Sequence, residues 1–369
     1  MVPSTRRETE RPERPRCVYC TAPACAAASG RRLRETRTVL SGAVTRDLAL
    51  LPKGHLHLHF EASMRPATLR DIAAEADEPV PSWADFADFT DFEAAYGDVL
   101  RLIRRPDQLE RIMTEMADDA QADGVVYVEV TLAPVLHAHL FGDDAQAALD
   151  FLLAAAKREE DRTGVVIRAM IASARTVAVE LAVADARLAA AYAGRGVVAY
   201  GLHADERGFP AAPFLEAFEI ARDAGLLITP HAGELVGPES VREAVEVLHA
   251  DRILHGVRVI EDPELTAEVA RLGVTLDVCP SSNVVLHVVP DLEHHPLPAL
   301  LAAGVSCSIN ADDPIQFGPD VLEEYELARE RLGLTDEQLA GCARASITAS
   351  GAPEDVRTRA LADIDAWLA

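Results

Sequence analysis

Three histidines alternate with apolar residues in His55-Leu56-His57-Leu58-His59-Phe60. On a β-strand successive side chains point to opposite faces, so the imidazoles share one face while Leu56, Leu58 and Phe60 share the other. The interleaved apolar residues belong in a core, which argues against an exposed edge strand. Neutral imidazole is the commonest metal ligand, and a buried row of imidazoles suits that use. One strand cannot complete such a site, so further donors must come from elsewhere in the chain.

Those donors recur in one setting, the ends of apolar runs. The first run leads into Glu61, and later ones end in His203-Ala204-Asp205-Glu206, His231-Ala232-Gly233-Glu234, His255-Gly256, Cys279-Pro280-Ser281-Ser282-Asn283 and Asn310-Ala311-Asp312-Asp313-Pro314. A single strand-end histidine is usually a satisfied core residue. Many converging ionisable groups are harder to explain by packing, because buried charge is costly unless paired or metal-bound. Three imidazoles and a carboxylate suit one divalent ion, with zinc the leading candidate. Such an ion lowers the pKa of bound water from 15.7 to ~7. Glu234, His255 and Asp313 then remain for moving protons. Binuclear barrel hydrolases bridge their metals with a modified lysine. Only Lys53 and Lys157 occur in this chain, and neither is expected within a strand, so one metal per chain is expected.

The elements that must position these groups alternate strand and helix. Strand-like runs cover 55–60, 125–131, 165–173, 197–202, 226–231, 252–256, 274–279 and 305–310, with helical patterns at 142–161, 175–193, 211–224, 238–249, 262–272 and 296–303. Continuous apolar strands separated by helices imply parallel sheet. Eight such units predict an α/β fold, a (β/α)8 TIM barrel, whose catalytic groups sit at the C-terminal ends of the strands. The polar residues above fall there. The stretch 61–124 holds a helical insertion, with helices around 93–103 and 107–121 and an aromatic cluster of Trp83, Phe86, Phe89 and Phe92. Placed after the first strand, it is expected to lie over the barrel mouth as a hydrophobic lid. Residues from Pro319 onward read as extra C-terminal helices, interrupted at Gly351-Ala352-Pro353.

Residues 1–45, rich in Arg, Pro, Glu and Ala, are expected to be a disordered tail, and 46–369 a single barrel domain. The tail's Cys17, Cys20 and Cys25 lack a fourth ligand nearby and do not make a zinc site. A net charge of −25 argues against nucleic acid and anionic membrane as partners. No run is long enough for a membrane span, and no secretory signal is evident. The cysteines read as reduced thiols, and the expected location is cytoplasmic. The sequence sets no oligomeric state.

The motifs Pro52-Lys53-x-x-Leu56-His57-x-His59, His231-Ala232-Gly233-Glu234, Leu254-His255-Gly256, Cys279-Pro280 and Asp312-Asp313-Pro314 together resemble the adenosine deaminase family of the amidohydrolase superfamily. The resemblance covers roughly 50–350 with every motif in order. It implies that His57, His59, His231 and Asp312 bind a single Zn²⁺. It further implies that Glu234 protonates purine N1, His255 takes a proton from the zinc-bound water, and Asp313 orients the attacking hydroxide. The implied reaction converts adenosine, or a close 6-aminopurine nucleoside, to inosine and ammonia.

Substrate contacts implied by the resemblance are Glu61, His59, Ala204 and Asp205. Two of these depart from adenosine-specific relatives. Glu61 stands where those tend to carry Asp, which looks more like adenine or modified-adenosine deaminases such as those for aminodeoxyfutalosine. Ala204 replaces a glycine whose amide reaches the purine, and Thr131 stands where many members carry Arg. His55 replaces the usual Glu and is expected to pack inside the barrel. A non-catalytic nucleoside-binding relative would have lost metal or proton-transfer positions, and this chain keeps them.

Overall fold

The structure, a computed structural model, describes residues 45–83 and 85–369, of which Arg46–Ala369 form one compact unit. The expectations for the tail and its three cysteines lie outside the described residues. Nine strand segments occur among them: β1 Lys53–His59, β2 Val125–Leu132, β3 Val166–Ala174, β4 Val197–His203, β5 Leu227–Ile228, β6 His231–Ala232, β7 Arg252–His255, β8 Thr275–Val278 and β9 Ser306–Ile309. All pairings are parallel, in the orders β1-β2-β3-β4-β5 and β6-β7-β8-β9.

These two sheets form one TIM barrel. The expected fifth strand is split at Pro230, which has no N–H for the ladder. Thr229 N still donates to Tyr200 O (2.9 Å) and Leu254 N to Pro230 O (3.0 Å), so the segment bridges β4 to β7. At the other seam Leu58 pairs with Asp312. There Asp312 N donates to His57 O and His59 N donates to Asp312 O, both at 3.0 Å. Closure of the barrel and assembly of the site are thus the same two hydrogen bonds.

The helices follow the expected pattern, bounded by local chemistry. In Pro263–Leu272, for example, Asp262 accepts from Glu264 N and Leu265 N, proline opens the first turn and Gly273 in the left-handed region ends it. The insertion contains Phe89–Leu102 and Pro106–Ala122, and also Pro66–Ala76, a helix the sequence pattern does not reveal. That helix buries only Thr68, Leu69, Ile72 and Ala73, too narrow a stripe to stand out beside its charged residues. Asp336–Thr348 and Glu354–Leu368 close the chain on either side of the expected break.

One sequence expectation is corrected. Lys53 does lie in a strand, opening β1, where it is buried and its Nζ donates to Leu48 O and Asp123 O. It sits at the N-terminal end of β1, six residues from His59 at the mouth, and is spent on capping those carbonyls. It offers no bridge to a second metal.

Inside the barrel, fully buried Arg252 donates to Glu129 Oε2, to Asp277 Oδ2 (2.9 Å) and to Ala349 O (2.9 Å). Glu129 also accepts from Tyr127 Oη (2.8 Å), and Asp277 from Ser308 Oγ (2.7 Å). Removing one member of such a cluster leaves uncompensated charge in a low dielectric. Arg252→Ala should therefore destabilise the fold by about 3–5 kcal/mol, measured by denaturant unfolding at neutral pH.

Candidate metal centre and active site

The strand ends deliver the site. His57 and His59 come from β1, His203 from β4, His231 from β6, His255 from β7, and Asp312 and Asp313 from the turn after β9. His57, His231, His255 and Asp312 present ligand atoms all within 4.8 Å of one another, and His59, Asp312 and Asp313 form a second, overlapping group. Asp312 Oδ1 lies 2.9 Å from His57 Nε2 and 3.4 Å from His59 Nε2. The expected ligands and the expected proton carriers thus occupy one spot.

The imidazoles fit a metal by their tautomers. His231 Nδ1 lies 3.0 Å from Leu202 O and His57 Nδ1 lies 3.3 Å from Asp277 O. A carbonyl can only accept, so His231 carries its proton on Nδ1, and His57 does the same in donating to Asp277 O, which leaves each Nε2 a lone pair. Those two Nε2 atoms face one another at 3.1 Å. Two buried lone pairs at that distance repel unless a cation lies between them. Carbonyls that orient the distal ring nitrogen are the usual support of histidine ligands. Burial also keeps the rings neutral: it lowers His59 to about 4, His203 and His255 to about 3, and His231 well below its ordinary value. Cys279 Sγ, 3.3 Å from His57 Nδ1, is raised by burial and stays a thiol.

The carboxylates are pushed the other way. Burial, with Asp312 and Glu206 nearby, raises Glu234 well above its ordinary value, and burial beside Asp312 raises Asp313. Asp313 Oδ1 is buried without a partner. His255 Nε2 lies 3.4 Å from Glu234 Oε1 and 3.6 Å from Asp312 Oδ2.

A cavity of about 210 Å³ opens on these groups, walled by Phe89, Phe92, Tyr96, Leu136, Ala204 and Leu286 among others. The aromatic insertion does cover the mouth. Phe92 stacks on Phe317 with centroids 5.2 Å apart, Trp83 Nε1 donates to Gln316 O (3.2 Å) and His287 Nε2 to Phe86 O (3.0 Å).

Two expected substrate contacts are placed elsewhere. Asp205 is not among the lining residues and pairs with Arg207 through both oxygens. Glu61 is buried behind the wall, accepting from His137 Nε2 at Oε1 and from Tyr96 Oη at Oε2 (2.6 Å). Burial would raise its pKa, but these hydrogen bonds outweigh it and hold the group below its ordinary value. His55 packs inside the barrel as expected, its Nε2 accepting from Ala311 N (3.1 Å).

Several supporting residues are given no role by the sequence reading, although Glu206 and Asn283 stand in its strand-end motifs. Arg175, buried just past β3, donates to His231 O and to Phe209 O (3.0 Å). Glu206 accepts from the main chain of Glu234, Leu235 and Val236 and from Ser240 Oγ, fixing the loop that carries Glu234. His137, Tyr96, Asn283 and His295 belong with them. For Arg175 the local signal was an arginine two residues past the apolar run 165–173.

Comparison with known proteins agrees with this geometry. The family model for adenosine deaminase matches residues 52–367. The chain is 42% identical over 334 residues to a Streptomyces virginiae protein named for adenosine/adenine deaminase activity, covering 88% of this chain and 98% of that protein. It is 37% identical to an aminodeoxyfutalosine deaminase of Streptomyces coelicolor, covering 93% of this chain and 94% of that protein. The crystal structure of adenine deaminase from Arthrobacter aurescens superposes with a TM-score of 0.79 at 27% identity, over 86% of this chain and 99% of that chain.

Three strand-end residues hold left-handed backbone without being glycine: Ala204 (φ 74°), His255 (φ 64°) and Asp312 (φ 61°). A β-carbon in that region costs about 1–2 kcal/mol, and glycine's extra freedom in the unfolded chain offsets part of the relief. Ala204→Gly should therefore stabilise the protein by about 0.5–1 kcal/mol, read as a higher thermal midpoint.

Proposed function

The chain belongs to the adenosine deaminase family of metal-dependent amidohydrolases, and we propose that it hydrolytically deaminates adenine, releasing ammonia and the 6-oxopurine. That it is a deaminase of an adenine-related purine follows from its family and its His/Asp cluster. The preference for the free base over adenosine rests on one observation, the occupied Glu61. A ribose hydroxyl needs an acceptor it can reach, and Glu61 does not line the cavity: it lies buried behind Tyr96, which with His137 donates to its oxygens. Tyr96 stands on the cavity wall in front of it.

A modified adenine nucleoside is the second reading. It is favoured by the aminodeoxyfutalosine deaminase relative and by the apolar wall of Leu100 and Leu136, which could receive a bulky N9 substituent.

We assign His57, His59, His231 and Asp312 as the residues that hold the metal, one zinc ion per chain by the chemistry of three imidazoles and a carboxylate. When bound, the ion supplies a water acidic enough to attack at neutral pH. The chain's own residues do the remainder. Glu234, kept protonated by burial, donates to the ring nitrogen beside the amino-bearing carbon, making that carbon electrophilic. Asp313, with Oδ1 unpartnered, accepts from the attacking water and aims it. The aromatic lid excludes bulk water. We read the protein as cytoplasmic, acting on a small molecule without a nucleic-acid or membrane partner.

Glu234→Gln should cut kcat by ~10²–10⁴, the usual contribution of a positioned acid, with folding and metal content preserved. Because only the protonated carboxyl donates, wild-type turnover should fall as pH rises through its raised pKa. Relative kcat/KM for adenine, adenosine and aminodeoxyfutalosine tests the substrate. Adenosine turned over as efficiently as adenine would overturn the assignment.

A further inference from the structure

By distance alone His255 is as good a ligand as His57 or His231, since its Nε2 lies in the same 4.8 Å group. What separates them is the partner at Nδ1. For His231 that partner is a carbonyl, Leu202 O, which forces the proton onto Nδ1 and frees Nε2; His57 Nδ1 faces Asp277 O and the Cys279 thiol, both at 3.3 Å, and donation to the carbonyl frees its Nε2 in the same way. For His255 it is the amide nitrogen of Asn283, 3.1 Å away.

The orientation of that amide is set by a chain of hydrogen bonds that begins at the backbone. Leu297 N, a donor with no alternative, points at His295 Nδ1 (3.1 Å). His295 must accept there, so it carries its single proton on Nε2, which lies 3.1 Å from Asn283 Oδ1. With its oxygen engaged, Asn283 turns its NH₂ to His255 Nδ1. His255 therefore accepts at Nδ1 and carries its proton on Nε2, toward Glu234 and Asp312. Each of the three side chains is buried, so no water relaxes the sequence of donors and acceptors. Asn283 is itself held by main-chain bonds to Cys279 O (3.0 Å) and from Val289 N (3.0 Å).

We propose that the His295–Asn283 pair keeps His255 out of the metal shell by holding it as the Nε2–H tautomer, and makes it a hydrogen-bond donor to the reacting groups. This rests on the metal reading of His57 and His231 above. It also reverses the direction implied by the family resemblance, in which His255 takes a proton from the water. An imidazole already protonated at Nε2 has no lone pair there to receive one. Asn283 and His295 are positioning residues, acting on the reaction only through His255.

The pair makes a specific substitution informative. In Asn283→Asp the carboxylate can accept from His295 Nε2–H but cannot donate to His255. His255 must then place its proton on Nδ1 and expose a lone pair at Nε2, which recruits it as a further ligand. The test is ¹⁵N NMR of histidine-labelled full-length protein, metal-free and zinc-loaded, with zinc affinity measured by chelator competition.

In the wild type, His57 and His231 should show the Nδ1–H pattern and His255 the Nε2–H pattern, unchanged on loading. Asn283→Asp should invert His255, tighten zinc binding by ~10-fold and lower kcat with little change in KM. His295→Phe, which removes the upstream donor without adding charge, should leave His255 a mixture of tautomers. A wild-type His255 with the Nδ1–H pattern, or one that shifts as a ligand on loading, overturns the inference while leaving the metal site standing. Absence of zinc binding to the wild type overturns the metal reading instead. The wild-type spectrum decides the matter even if either variant folds poorly.

Discussion

The two main-chain hydrogen bonds between Asp312 and the His57–His59 segment close the barrel, and the rest of the site is built on that seam. They bring a carboxylate and two imidazoles together from opposite ends of the domain, with no loop required to find its place. Asn310 reinforces the junction, its Oδ1 accepting from Leu56 N (2.7 Å) and His57 N (3.2 Å) while its Nδ2 donates to Ser308 Oγ (2.8 Å). Ser308 in turn reaches Asp277, a partner of Arg252. The ligands thus stand on a continuous polar scaffold inside the barrel. Such preorganisation matters because a reacting group misplaced by ~1 Å can cost 10²-fold in rate.

Burial then sorts the ionisable groups by type. The imidazoles are driven to the neutral form, the one that can bind a metal, while Glu234 and Asp313 are driven toward the protonated form. One physical cause thus moves the imidazoles and the carboxyls in opposite directions. Tautomer adds a second level of sorting among rings that distance cannot tell apart. His57 and His231 face carbonyls at Nδ1, whereas His255 faces the Asn283 amide, the difference on which the proposed roles rest.

The insertion after β1 is joined to the barrel mouth by packing and by hydrogen bonds. Its aromatics seal the mouth against the barrel through Phe317, Leu286 and the Trp83 and His287 hydrogen bonds. Its helix Phe89–Leu102 also carries Tyr96, which reaches down to occupy Glu61. The insertion therefore both covers the mouth and places Tyr96 between Glu61 and the cavity.

Most of the fold was legible in the residues, because apolar strands repeating with helical spacing leave few architectures that bury both faces. The convergence of His57, His59, His231, His255, Glu234, Asp312 and Asp313 was legible as well, since in this fold strand ends meet by construction. The helix Pro66–Ala76 was hidden by its charge, the split of the fifth strand lay in a single proline, and Lys53 read as lying ahead of its strand. Only the tertiary structure decided that Glu61 bonds His137 and Tyr96, that Asp205 faces Arg207, and that Asn283 joins His295 to His255. Residue type and spacing determine which groups reach the barrel mouth. Which oxygen is free and which nitrogen carries a proton depend on hydrogen-bond partners far away in the chain, and no local pattern encodes those.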